Sequence, residues 1–285
     1  MPSRRSALGA HLSVAGGLPK CLPKADALGA EVVQLFVSSP RAWATPSSDI
    51  DGDAEFRASC SGRSLAVYVH APYLVNFGSP TAVTLQRSAD AVEFALRRGV
   101  AIGARGVVVH AGSAVLGNDW AMAMKQVRTH LLPVLDAVPD APRLLVEPTA
   151  GGGGALASDA ASLGAFLDVL GRDERIGVCL DTCHMHASGA DLSTQPGFAA
   201  AVRAYARAAG RGGIGLVHVN DSRDPVGSKR DRHAALGTGT IGRDPFAALF
   251  TSPALRGVPL VVESPDADHA ADLAILRQLR AEHAT

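Results

Sequence analysis

Eight apolar runs of strand length, spaced by stretches that read mostly as helices, restrict the fold more than any other feature of this chain. They fall at residues 7–14, 31–37, 65–70, 106–110, 143–147, 176–181, 214–220 and 259–263. Short apolar runs bounded by turn residues suit strands buried on both faces. The clearest helix interval opens at Ser79-Pro80 and closes at Gly99, with Leu85, Ala89, Val92 and Leu96 as its apolar stripe. Alternating strands and helices call for a parallel sheet, and eight such units in 285 residues predict an α/β fold of the (β/α)8 TIM-barrel type, one domain over residues 1–285. The Gly151–Gly154 run follows directly on a strand end and reads as an active-face loop rather than a hinge. The seventh crossover is unusual: a polar loop over 221–242 precedes only a short helical piece near 246–250, as expected of a long functional loop.

A barrel of this kind carries its chemistry at the carboxyl ends of its strands. Strands three to eight would end there at His70, His110, Glu147, Asp181, His218 and Glu263, although the seventh apolar run continues two residues further to Asn220. His184 lies just beyond the sixth, and Asp231 and His233 lie in the long loop after the seventh. All nine are residue types that bind zinc or related divalent ions. Parity groups them: Val108, Leu145, Leu216 and Val261 stand two residues before His110, Glu147, His218 and Glu263, so each polar end continues an inward face. Taken singly, Asp181 reads equally as a helix cap, and a His at a strand end as a satisfied polar group. Taken together, they would gather unpaired buried charge at one rim without a cation, which is costly. Nine donors exceed what one zinc takes and suit a cluster. His130, His269 and His283 fall in helix-like segments and read as surface residues; His186 is an alternative ligand to His184, and His11 ends no strand in this register but is a candidate to support a ligand.

Charge excludes little, because Lys plus Arg and Asp plus Glu both total 27. No apolar run approaches the ~18 residues of a membrane span, so no membrane association is expected. Ser3-Arg4-Arg5 before Ala7-Leu8-Gly9-Ala10 has a superficial likeness to a twin-arginine signal, but His11 and Gly16-Gly17 interrupt the apolar region and the residues serve better as a first strand and turn. Cys21, Cys60, Cys179 and Cys183 lack metal-finger or disulfide spacing and read as reduced thiols of a cytoplasmic protein.

The chain resembles the endonuclease IV family, zinc-dependent enzymes of DNA base-excision repair with a xylose-isomerase-like barrel. The resemblance runs from Gly9-Ala10-His11-Leu12-Ser13 to Val262-Glu263-Ser264 and is most specific at Cys179-Leu180-Asp181-Thr182-Cys183-His184, Leu216-Val217-His218-Val219-Asn220-Asp221 and Asp231-Arg232-His233 followed by Leu236-Gly237-Thr238-Gly239. In Glu147-Pro148-Thr149-Ala150-Gly151, Pro148 stands where the family commonly has Asn, which puts one supporting hydrogen bond in question.

The resemblance implies three zinc ions, with manganese able to replace part of the cluster. His70, His110 and Glu147 would hold one; Glu147, Asp181, His218 and Glu263 a second, with Glu147 bridging; His184, Asp231 and His233 the third. Glu147 and Glu263 are the expected catalytic carboxylates. The implied reaction hydrolyses the phosphodiester 5′ to an abasic site in double-stranded DNA, leaving a 3′-hydroxyl, with repair of blocked 3′ ends besides. Arg41, Tyr73, Leu74 and Arg232 would contact DNA, and the chain would act as a monomer. Trp43 and Tyr73 could equally be packing residues, and Lys229, Arg230 and Arg232 a solvated run. The rival reading is a metal-dependent sugar isomerase or epimerase on the same barrel. A single-metal isomerase has no evident use for His184 together with Asp231 and His233.

Overall fold

Each apolar run forms a strand because its side chains find apolar neighbours on both faces. In Arg143–Glu147, Leu144 and Val146 join the large core between sheet and helices, while Leu145 joins a smaller cluster inside the barrel. That inner cluster also holds Val32, Ala66, Tyr68, Val108, Cys179, Leu216 and Val261, one or two residues from each of the other strands except the first. Burying a Val or Leu this completely contributes about 1.5–3 kcal/mol. The computed structural model describes residues 5–47, 49–115 and 118–283; Ser3 and Arg4 of the export-like segment lie outside them.

Eight parallel strands close the barrel: β1 (Leu8–His11), β2 (Val32–Phe36), β3 (Ala66–His70), β4 (Gly106–His110), β5 (Arg143–Glu147), β6 (Ile176–Asp181), β7 (Ile214–His218) and β10 (Leu260–Val262). Neighbours in sequence are neighbours in the sheet, and β10 pairs with both β7 and β1. The remaining strands, β8 (Asp221–Ser222) and β9 (His233–Ala234), form a small antiparallel ladder inside the long seventh loop. Helices α1 (Leu22–Leu28), α2 (Ile50–Gly62), α3 (Ala82–Ile102), α4 (Trp120–Asp136), α5 (Ala160–Val169), α6 (Thr182–Ser188), α7 (Gln195–Ala209), α8 (Ala248–Thr251) and α9 (His269–Glu282) complete the crossovers. Several begin on polar caps; Asp159 and Ser162 form a reciprocal capping box on α5.

The structure departs from the sequence-based reading at several points. Helix α3 starts at Ala82 and runs past Gly99 to Gly103, whose φ of 70° supplies the left-handed turn that ends it. Gly99 instead permits close packing: a Cβ there would stand 2.9 Å from Pro142 Cγ. Strand β7 stops at His218 because Asn220 turns its polar atoms to the rim. His11 does end a strand, β1. His269 is no surface residue: at the start of α9 it is 1% exposed, with Nε2 2.8 Å from the Ser264 carbonyl.

Candidate metal centre

Strand parity delivers a polar residue to the rim from every barrel strand. One layer above Val32, Tyr68, Val108, Leu145, Cys179, Leu216 and Val261 stand Gln34, His70, His110, Glu147, Asp181, His218 and Glu263, and His11 completes the ring from β1. Of these eight, Gln34 was not anticipated at all, and His11 only as a support for a ligand. The signal was available: the same two-residue step leads from Gly9 to His11 and from Val32 to Gln34.

Glu147, 1% exposed at the end of β5, is the hub. Its Oε2 lies 3.3 Å from His70 Nε2 and 3.5 Å from His110 Nε2, while Oε1 lies 3.2 Å from His218 Nδ1 and 3.1 Å from His184 Nδ1. His218 Nδ1 also faces Glu263 Oε2 at 3.2 Å and Asp181 Oδ2 at 3.9 Å. A third grouping forms around Asp231: His184 Nε2 is 3.2 Å from its Oδ2 and His233 Nε2 is 3.0 Å from its Oδ1. Donor atoms of His70, His110 and Glu147, and likewise of His184, Asp231 and His233, all lie within 4.8 Å of one another. All nine candidate residues therefore converge on one mouth of the barrel.

Supporting contacts orient the ring. His70 Nδ1 donates to the Ala71 carbonyl at 2.6 Å, which leaves Nε2 facing Glu147. His184 Nδ1 lies 3.0 Å from the carbonyl of Pro148. A proline keeps its carbonyl, so the substitution in the strand-five motif leaves this main-chain acceptor in place. Asp181 caps a helix and also faces the rim: Oδ1 caps α6 by accepting from His184 N at 2.8 Å, and Oδ2 faces the cluster, where Asn220 Nδ2 reaches it at 2.6 Å. Asn220 also reaches Glu263 Oε2 at 3.2 Å. His186 points elsewhere, to Thr240 Oγ1 at 3.3 Å, so it is no substitute for His184.

The long loop is fastened before any ligand arrives. Asp221, fully buried, accepts backbone N–H groups from Ser222, Gly237, Gly239, Ile241 and Gly242 at 2.8–3.2 Å. Gly227 N and Lys229 N donate to the His186 and Ala187 carbonyls of α6 at 3.0 and 2.9 Å. These bonds hold Asp231 and His233 over His184.

The electrostatics ask for positive charge. Burial alone would raise the Glu147 carboxyl, but His218 and His110 hold it well below the usual range. Burial opposes the shifts of Asp231 and Glu263 as well, yet adjacent imidazoles depress both carboxyls. Conversely, Asp181 and Asp231 overcome burial to raise His233 to about 9 and His184 well above its ordinary value. His110 falls to about 4, because burial outweighs the pull of Glu147 and His70 and His184 crowd it. Protons on imidazoles thus do what a cation would do. Glu147 Oε2 and His233 Nε2 are buried without a hydrogen-bond partner, so the site fits cations better than it fits its own hydrogen bonds. Burial pushes the Cys179 and Cys183 thiols up to about 12, keeping both protonated, which leaves imidazole and carboxylate as the donors.

Around the mouth, Tyr73 N donates to the Pro40 carbonyl at 3.0 Å, placing the Arg41 and Tyr73-Leu74 loops side by side. The Tyr73 ring is 47% exposed and rests on His70 and His110, with ring centres 5.4 and 5.6 Å away. Trp43 is partly buried against the main core. Arg41 is exposed, whereas Arg232 is paired through two nitrogens with Asp224. A cavity of about 720 Å³, lined among others by His11, Ser39, Tyr73, His233 and Glu263, opens beside the cluster.

Residues 22–281 match the family model described as xylose isomerase-like TIM barrel. A probable endonuclease 4 of Streptomyces coelicolor is 48% identical over 281 residues, 97% of this chain and 96% of that one. The crystal structure of endonuclease IV from Thermus thermophilus superposes with a TM-score of 0.86 at 32% identity, covering 97% of this chain and 99% of that one. A D-tagatose 3-epimerase-like protein superposes at 0.73 with 17% identity, covering 98% and 100%, a likeness of fold alone.

Proposed function

This chain belongs to the endonuclease 4 family of xylose isomerase-like TIM barrels, and from that premise we propose that it hydrolyses the phosphodiester 5′ to abasic sites in double-stranded DNA at a centre for three zinc ions. His70, His110 and Glu147 would hold one; Glu147, Asp181, His218 and Glu263 the second; His184, Asp231 and His233 the third, with manganese an acceptable replacement in part of the cluster. The observation that carries this reading is the division of Glu147, one oxygen toward His70 and His110 and the other toward His218. A carboxylate so placed joins two sites, which a sugar epimerase with one ion would not need.

Bound there, such ions supply Lewis acidity, activating water near neutral pH and neutralising the phosphate and the departing oxygen. The chain's own groups position and exclude. Glu147 and Glu263 act as the catalytic carboxylates, and the Tyr73 ring covers His70 and His110 from solvent. Arg41, Tyr73, Leu74 and Arg232 contact the DNA, where lost stacking at the lesion lowers the cost of extruding the sugar. The products are a 3′-hydroxyl on one fragment and a 5′-phosphate on the abasic sugar of the other, and blocked 3′ ends are further substrates. The enzyme acts as a cytoplasmic monomer.

Incubating the protein with a duplex carrying one tetrahydrofuran abasic analogue tests this reading. Incision 5′ to the analogue that stops on chelation and returns with zinc is expected. No metal-dependent incision of that duplex would overturn it.

A further inference from the structure

Gln34 is the least expected member of the rim. It is fully buried, and all of its side-chain partners belong to the rim: Oε1 lies 2.9 Å from His218 Nε2, and Nε2 lies 2.8 Å from Glu263 Oε1 and 2.9 Å from His11 Nδ1. Filling space in that layer would need only an apolar side chain, as Val32 directly below shows. Burying a carboxamide is costly unless its bonds are made, so the residue has a directional task.

Chemistry fixes which way the amide faces. An ionised carboxylate only accepts hydrogen bonds, so the NH2 end must face Glu263. The carbonyl end is then left for His218 and can only accept, so His218 must carry a proton on Nε2. Its free lone pair is consequently on Nδ1, the atom that faces Glu147, Glu263 and Asp181. We propose that Gln34 is a positioning residue that selects Nδ1 of His218 as the ligand atom and aligns Glu263 beside it. Asn220 grips the other oxygen of Glu263, so two buried carboxamides hold that carboxylate from opposite sides.

This inference rests on the zinc-centre reading, and its test separates the two. In zinc-loaded protein carrying ¹⁵N-histidine, long-range proton–nitrogen spectra identify which His218 nitrogen bears the proton, whether or not the protein cuts abasic DNA. The expected parent signature is a hydrogen-bonded proton on Nε2 and zinc on Nδ1. Gln34→Glu keeps an acceptor for that proton and should keep the signature, while removing the donor to Glu263. Gln34→Leu removes both, so the proton signal should lose its hydrogen-bonded shift. Chelator competition should show one zinc bound ~10–100-fold more weakly in Gln34→Leu. Zinc on Nε2 in the parent, loss of the signature in Gln34→Glu, or three zinc ions held by Gln34→Leu at parental affinity would each overturn the proposal. Should Gln34→Leu fail to fold, the parent and Gln34→Glu spectra still decide it.

Discussion

On the proposed reading, Glu263 should matter much to chemistry and little to folding. It is reached by Gln34 on one oxygen and Asn220 on the other, and it faces His218. Glu263→Gln keeps the size of the side chain but turns an NH2 toward one of these groups. Incision should fall by more than the ~10–100-fold that losing a supporting contact costs, with the thermal midpoint moved by only a few degrees; an unchanged rate would remove Glu263 from the centre. His70, His110, Glu147, Asp181, His218 and Glu263 were legible in sequence because an acid or imidazole at the end of an apolar run has no packing reason to be there. Gln34 was not, since a neutral amide within Val32–Phe36 looks like an ordinary polar interruption, and its role emerges only when β7 and β10 are brought beside it. His11 was hidden by reading the first strand three residues too long. His269 was misjudged because helical position alone cannot show that Ser264 and Asp272 close over that end of α9.

At the scale of elements, all eight barrel strands were visible, since burial on both faces leaves continuous apolar runs. Boundaries set by contact rather than composition were not. Gly99 and Gly103 are the same residue type four positions apart, and only packing against Pro142 tells the close approach from the helix end. The β8–β9 ladder has two residues per strand, too few for any periodicity to register. Its anchor is Asp221, and Asp221→Asn should replace part of a fivefold acceptor with a donor. A loss of about 1–3 kcal/mol in stability is expected, together with faster proteolytic nicking within 221–242. Parental resistance to limited proteolysis would show that the loop is held by other means.

For the whole molecule, the metal centre and folding stability should be linked. With zinc chelated, His233 titrates at about 9 because Asp181 and Asp231 outweigh its burial, against roughly 6.5 in the unfolded chain. A raised folded value favours the native state fully below pH ~6.5 and ceases to as pH climbs through 9. The raised His184 and His218 act in the same direction. The chelated protein should therefore lose thermal stability between about pH 6.5 and 9.5. Zinc at 100 times its dissociation constant should add about 2.7 kcal/mol per site, and the alkaline loss should vanish because the ion replaces the protons. A chelated protein whose midpoint is flat or rising over that range would contradict the linkage. The layer of Val32, Tyr68, Val108, Leu145, Cys179, Leu216 and Val261 directly beneath the ring has a topological consequence too. It makes a floor rather than a pore, so the rim has a single doorway. Whatever enters that doorway must back out through it, and both ends of a cut strand would remain on the side from which the intact strand approached.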